Sequence, residues 1–279
     1  MTKKNLILGL IKGYNFEQIR PFIISLERTK FKGDLILFYS DINNQTYRIL
    51  RQYSVKLINF EQKYPFFTSI PITNISLPEP LKNELSIWWT RWIMYYLFLS
   101  NLKNRYTKIL LTDVRDVIFQ RNPFDFESDK ELCFFLEDSR MKIDTCHWNS
   151  MWIRDLFGEE ILAEIGHNYI SCAGTIIGTP SKLLNYLRKF MEILSKIDIS
   201  KLGPQGVHNY LIYTNKIDNY QFFENENGPI LTLHHKKFET IRFNKRGLII
   251  NDNENVVNII HQYDRHPSLV KIFFKKYTI

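Results

Sequence analysis

The stretch Lys108-Ile-Leu-Leu-Thr-Asp113-Val-Arg-Asp116-Val-Ile-Phe119 decides how the rest of the chain is read. Its first half is a continuous apolar run, the pattern of a central strand buried on both faces. The run ends at Thr112 and is followed by two carboxylates, Asp113 and Asp116. In open α/β sheets ligands bind outside the carboxyl ends of strands, which is where this pair stands. Two carboxylates share a dry site cheaply only when a cation joins them. Hard oxygen ligands suit Mg²⁺ or Mn²⁺, and Mg²⁺ is usually held by one or two carboxylates with substrate phosphates completing its shell. On residue type alone a plainer reading stands beside this one: Asp113 capping a turn, and Asp116 pairing with Arg115 or a lysine.

Upstream, strand-like runs at 5–11, 34–39 and 55–60 alternate with helical patterns at 21–28 and 45–52. Strands alternating with helices over short loops predict βαβ units and a mostly parallel sheet. Pro21 is expected in a first helical turn, where its missing N–H costs nothing. Residues 64–81 carry four prolines and read as a surface loop. The following helix, 86–100, is apolar on nearly every side and is expected to be buried. Arg91 shares a helical face with Trp88 and Tyr95. It either snorkels at the rim of the core or meets a carboxylate or a ligand phosphate.

Downstream, a strand at 131–136 ends in Glu137-Asp138, much as the first acidic strand ends in Asp113. An aromatic-rich segment follows at 147–157, then a strand at 175–178, a helix at 181–196, and a turn into a helix across 203–213. A last strand, 256–260, runs into His261.

The 279 residues suffice for one substantial core, and the 44% hydrophobic content excludes disorder. The net charge of +8 suits an anionic ligand, although a lysine-rich composition with two alanines produces the same excess by codon bias. Cys133, Cys146 and Cys172 are odd in number and lack metal-site spacing, which fits a reducing compartment. The apolar run at 6–11 is too short for a signal peptide, and no run reaches a membrane span. The expectation is a cytoplasmic protein, or one at the inner face of a membrane, where Phe273-Phe274-Lys275-Lys276 offers a contact for an anionic surface.

The string Leu-Leu-Thr-Asp-Val-Arg-Asp-Val-Ile-Phe-Gln-Arg-Asn-Pro-Phe, 110–124, resembles the DxD region of GT-A glycosyltransferases, with one residue more between its carboxylates. Pro21-Phe22, Ser25-Leu26 and Gly33-Asp34 resemble the first βαβ unit of those enzymes, which binds the nucleotide base. The resemblance implies a GT-A (Rossmann-like) α/β fold with a mixed, mostly parallel central sheet flanked by helices. The chain is then one domain, with a nucleotide-binding half of about 1–120 and an acceptor half of about 121–279. It further implies a metal-dependent transferase acting on a UDP- or GDP-sugar and a glycan or lipid-linked acceptor.

For the metal, the resemblance implies Asp116 as direct ligand, Asp113 toward the ribose or a metal-bound water, and His261 as a third ligand. For the donor it implies Lys12, Gly13 and Tyr14 beside the base and ribose, with Arg91, Asp113, Arg115 and Arg265 nearby. Glu137, Asp138 and Gln205 are the candidate catalytic residues. In Gly-Pro-Gln205-Gly-Val-His208-Asn209 a proline, Pro204, stands where relatives place an acidic partner of the glutamine. Small residues at 171–175 would let a sugar approach. Competing readings are a metal-dependent phosphatase or nucleotidyltransferase, and a basic nucleic-acid-binding protein. The loop Leu10-Ile-Lys-Gly-Tyr14 is not a glycine-rich phosphate loop, and the chain has neither a dense basic stripe nor an aromatic RNA-binding motif. Nucleic acid is therefore not expected as a partner.

Overall fold

The computed structural model describes residues 4–63, 87–102 and 105–278. The expected loop at 64–81 and residue 86, the expected first residue of the buried helix, lie outside the described residues.

The opening unit follows from alternation and capping. Strand β1 (Lys4–Lys12) turns Leu6 and Leu8 to one core and Ile7 and Ile11 to the other. Helix α1 (Phe16–Arg28) begins at Asn15, whose Oδ1 accepts from Gln18 N–H at 3.1 Å while Gln18 Oε1 accepts from Asn15 N–H at 2.9 Å. This capping box starts the helix earlier than expected, so Pro21 lies inside it and forfeits one intrahelical hydrogen bond. Strand β2 (Asp34–Ser40), helix α2 (Asn44–Gln52) and strand β3 (Lys56–Asn59) complete the expected βαβαβ order.

After the short helix α3 (Phe60–Lys63), helix α4 (Ile87–Ser100) buries most of its surface and leads into β4 (Tyr106–Thr112). Strands β6 (Leu132–Leu136), β7 (Ser171–Gly178) and β8 (Gln221–Phe223) complete a seven-stranded sheet in the order β3-β2-β1-β4-β7-β6-β8. Strands β3, β2, β1 and β4 are mutually parallel; β7 is antiparallel to both its neighbours, and β8 is parallel to β6. Only β7 is reversed, and the sheet is mixed and mostly parallel as expected.

On one face α4 packs with α7 (Pro180–Leu194), where the Trp92 and Phe190 rings stack at 4.4 Å, and α7 packs in turn with α8 (Pro204–Tyr213), all within one apolar cluster. The segment at 147–157, left unassigned in the sequence, is helix α5 (His147–Phe157), followed by α6 (Glu159–Ile165). Strand β7 begins at Ser171, four residues before the expected start at 175. Its small residues have weak intrinsic strand preference, and ladder pairing on both sides overrides that.

A second sheet joins β5 (Val117–Phe119), β12 (Ile259–His261) and β9 (Ile230–Thr232) in the order β5-β12-β9, next to a hairpin of β10 (Arg242–Phe243) and β11 (Ile249–Ile250). Strand β12 starts at Ile259; Val256, the expected first residue, instead forms an isolated bridge to Ile250. The closing helix α9 (Pro267–Lys276) covers this sheet with Leu269 and Phe273. Phe273 is core, and Arg20 lies over the Phe274 ring while its Nη1 donates to Phe274 O at 3.2 Å and Tyr277 O at 2.6 Å. Phe273 is thus part of the core and Phe274 is partly buried against Arg20, as an ordinary amphipathic end would be. Among the described residues no helix is long and apolar enough to cross a membrane.

Candidate active site

Two ladders converge on the end of β4. On one side β7 sets Thr175 opposite Thr112, and Asp113 N–H donates to Gly174 O at 2.8 Å. On the other, the chain turns through Val114-Arg115 into β5, where antiparallel β12 sets His261 opposite Val117. Gln262 N–H extends that ladder to Asp116 O at 2.8 Å. The pairing therefore brings together three side chains that the sequence had singled out: Asp113, Asp116 and His261.

His261 Nε2 lies 3.2 Å from Asp113 Oδ2 and 3.9 Å from Asp116 Oδ2, and the three ligand atoms fall within 4.8 Å of one another. Around a hard cation with bonds of about 2.1 Å, neighbouring ligands stand about 3 Å apart and opposite ones about 4 Å. The cluster has that size and a fitting donor set, two carboxylates and an imidazole. Gly174 makes the space: a Cβ there would lie 2.6 Å from both Asp113 Oδ2 and His261 Nε2. Both carboxylates, not Asp116 alone, face His261.

Arg91, from α4, pairs with Asp113 Oδ1 and leaves Oδ2 toward His261. Its partner is thus a carboxylate, one of the alternatives that its place among aromatics had suggested. The guanidinium also lies 5.1 Å from the Trp92 ring centre, which further fixes its position. His261 Nδ1 meets Cys172 Sγ at 3.3 Å. Burial opposes a charged His261, but Cys172, Asp116 and Glu137 outweigh it and raise its pKa to about 9.

The cluster opens on a cavity of about 500 Å³. Its polar lining includes Arg91, Asp113, Glu137, Asn149, Gln205, His261, Gln262 and Arg265, and its apolar lining includes Trp88, Trp148, Trp152 and Leu202. Glu137, at the end of β6, is buried. Its Oε1 accepts from Gln205 Nε2 at 3.0 Å, and its Oε2 lies 3.6 Å from His235 Nε2. Burial pushes the Glu137 carboxyl above its ordinary value, against the pull of His235, Gln205 and His261. Gln205 also donates to Asn149 Oδ1 at 3.1 Å and accepts from Ala173 N–H at 3.3 Å, so it is tied to three elements.

The neighbouring candidate, Asp138, stands apart from the cavity lining. Arg140 grips both its oxygens at 2.7 Å and, against burial, holds the carboxyl below its usual range. Arg115 Nη2 donates to Asp264 Oδ2 at 2.8 Å, and Arg265 Nη1 reaches the same oxygen at 3.2 Å; of these two arginines Arg265 lines the cavity. Lys12, Gly13 and Tyr14 follow β1, with Gly13 N–H donating to Ser40 O at 3.2 Å, and lie outside the cavity lining. His208 and Asn209 are structural: Asn209 brackets the Ser171 backbone at 2.8 and 3.0 Å, and His208 bridges Ser171 Oγ and Tyr186 Oη.

Sequence reasoning had given no role to Trp148, Asn149, Trp152, His235 or Gln262. One signal was available: Trp148 and Trp152 are spaced to share a helical face, and Asn149 lies between them.

No protein-family model matches the chain, and no curated protein does. Solved structures match it in fold. WbbM, described as a bifunctional glycosyltransferase, superposes with a TM-score of 0.58 at 12% identity, over 94% of this chain and 46% of its own. The galactosyltransferase LgtC, solved with donor and acceptor sugar analogues, gives 0.54 at 13% identity, over 98% and 93%. Apo GlyE, a glycosyltransferase of Streptococcus pneumoniae TIGR4, gives 0.53 at 16% identity, over 100% and 61%. The chain thus spans less than half of the WbbM chain and nearly all of LgtC. The likeness is one of fold, and the fold is that of the GT-A glycosyltransferases.

Proposed function

We propose that the chain is a metal-dependent glycosyltransferase, moving a sugar from a nucleotide-sugar donor to an acceptor hydroxyl in glycan or glycolipid synthesis. The observation that carries this reading is the Asp113–Asp116–His261 cluster opening on a cavity at the end of a central strand, in the GT-A fold.

Asp113, Asp116 and His261 would hold a divalent cation, Mn²⁺ or Mg²⁺. Bound there, the ion supplies Lewis-acid charge stabilisation to a departing nucleoside diphosphate. His261 would hold the ion through a neutral Nε2, and binding there would displace its proton. Arg91 holds Asp113 with Oδ2 toward His261, and Arg265, anchored at the cavity wall by Asp264 and His234, would meet diphosphate oxygens with its guanidinium. The half of about 1–120 takes the UDP or GDP moiety, with Lys12, Gly13 and Tyr14 beside base and ribose, and the half of about 121–279 takes the acceptor. Glu137 is the group best placed to take a proton within the cavity: it is buried, its carboxyl is pushed up by that burial, and Gln205 fixes its orientation.

The test is turnover. Purified protein is incubated with UDP- and GDP-sugars, Mn²⁺ and a mixed glycan acceptor pool, and free nucleoside diphosphate is measured. Release that requires the metal and vanishes in Asp116→Ala is expected. No release from any donor, together with no metal-dependent nucleotide binding by folded protein, rejects the reading.

A further inference from the structure

One wall of the cavity is built in a way that metal and nucleotide binding do not require. It carries Trp88 of α4, Trp148 and Trp152 of α5, and Leu202. Trp148 is 51% exposed, Trp88 54% and Leu202 52%. Large apolar side chains left in water forgo the burial that would stabilise the fold, and several converging on one concavity form a patch rather than scatter. Trp148 and Trp152 stand four apart on one helix with ring centres 6.3 Å apart. Trp152 is held in place by the glycines before and in α8: a Cβ on Gly203, whose φ is +143°, would lie 2.9 Å from Trp152 Cβ, and one on Gly206 3.1 Å. The base of the platform is therefore fixed by packing.

Resting on the transferase reading above, we propose that Trp148 and Trp152, with Trp88, form a stacking platform for a pyranose ring of the acceptor. A pyranose presents one face of C–H bonds with partial positive charge, which suits the negative face of an indole, and an edge of hydroxyls that needs hydrogen-bonding partners. Such partners stand beside the platform: Asn149 lies between the two tryptophans in sequence, and Gln205 links it to Glu137. Asn149, Gln205 and Glu137 line the same cavity as the rings, so an acyl chain laid on the platform would face a polar wall, whereas a sugar's hydroxyls match it. A nucleobase also stacks on indole, but α5 follows β6, which the sheet order sets across β7 and β4 from the β1–β3 side. Trp148 and Trp152 therefore belong to the acceptor half, and Trp88 joins them from α4 across the cavity.

The experiment uses wild type, Trp148→Ala and Trp148→Phe; the exposure of this side chain makes both variants compatible with folding. Methyl pyranosides of glucose, galactose, mannose and N-acetylglucosamine, and their disaccharides, are titrated in the presence of Mn²⁺ and UDP or GDP. Binding is read by tryptophan fluorescence and by saturation transfer from protein to sugar protons. At least one sugar is expected to saturate wild type, to bind Trp148→Ala about tenfold or more weakly, as the loss of one stacked ring implies, and to recover partly in Trp148→Phe. UDP or GDP, which the platform does not touch, should bind all three alike. Equal sugar binding by wild type and Trp148→Ala overturns the proposal, as does failure of every sugar to bind wild type. Loss of nucleotide binding in Trp148→Ala assigns the platform to the base and overturns it as well. Failure of the transferase reading appears separately, as absent metal-dependent nucleotide binding in wild type, while the sugar titration still reads the platform.

Discussion

His261 Nε2 lies 3.2 Å from Asp113 Oδ2, although 148 residues separate them in the chain. Neither strand of the main sheet alone makes this contact. It arises because β12 pairs with β5 immediately after the acidic turn, while β7 sets a residue without a side chain beside Asp113. The pair is the junction of the two sheets, and the cluster inherits its rigidity from both ladders.

Gly174→Ala tests whether that space is needed. The added Cβ would fall 2.6 Å from Asp113 Oδ2, so the carboxylate or the imidazole must move. A stability loss of about 1–3 kcal/mol is expected from overpacking. Metal-dependent nucleotide binding should fall further than that loss explains. Calorimetry on folded variant checks both, and unchanged Mn²⁺ affinity would remove Gly174 from the account.

Arg91→Met tests the support of Asp113. Arg91 is 13% and Asp113 24% exposed, so the pair is largely shielded from solvent. Removing the cation leaves Asp113 with His261 alone, at a cost of about 1–3 kcal/mol, below the figure for a fully buried pair. The expected result is a weaker Mn²⁺ affinity in a folded protein. An unchanged metal affinity would mean that Asp113 holds its rotamer without Arg91.

Glu137→Gln keeps the Gln205 contact in shape and removes the titrating group. We expect kcat to fall by at least about tenfold with nucleotide affinity kept, and the acidic limb of the pH–rate profile to disappear. If kcat and profile are both unchanged, the acceptor proton leaves by another route.

Acid should destabilise the fold through His208. Burial, with a smaller push from Arg91, lowers its pKa to about 3, from an ordinary 6.5. Above the ordinary value both folded and unfolded states are neutral at this position, and the contribution is whole. As pH falls, the unfolded chain binds the proton first, so stability declines from about pH 6.5 toward pH 3, by up to about 1.4 kcal/mol per unit. Urea unfolding of wild type and His208→Gln across that window measures it. The variant should be less stable at neutral pH, losing the contacts to Tyr186 and Ser171, and should show a shallower decline. Equal slopes would contradict the assignment.

Much of this was legible in the sequence, for identifiable reasons. The apolar run at 108–111 predicts a central strand, and the structure has one there; its trailing carboxylates leave a cation site and a capped turn both open, and the resemblance to the DxD region favours the first. His261 and Gln205 are singled out by the resemblance to GT-A enzymes, and the structure sets both on the cavity wall. The helix start at Asn15 was encoded as a capping box, yet Pro21 drew the expected boundary inward. The roles of Asn149, His235 and Trp152 were not legible. Each depends on how α5, α8 and the loop after β9 meet in space, and residue spacing within one segment does not specify that. The Glu137–Asp138 pair shows the same limit: adjacent residues differ because only Asp138 has Arg140 two positions on, folded back over it.

The most direct test of the central claim is calorimetric titration of Mn²⁺ into wild type, Asp116→Asn and His261→Ala, each with saturating UDP or GDP. The account predicts one Mn²⁺ bound by wild type with one of the two nucleotides, and a loss of affinity of at least about tenfold in each folded variant. Equal Mn²⁺ binding by all three proteins, or none by wild type with either nucleotide, would contradict it.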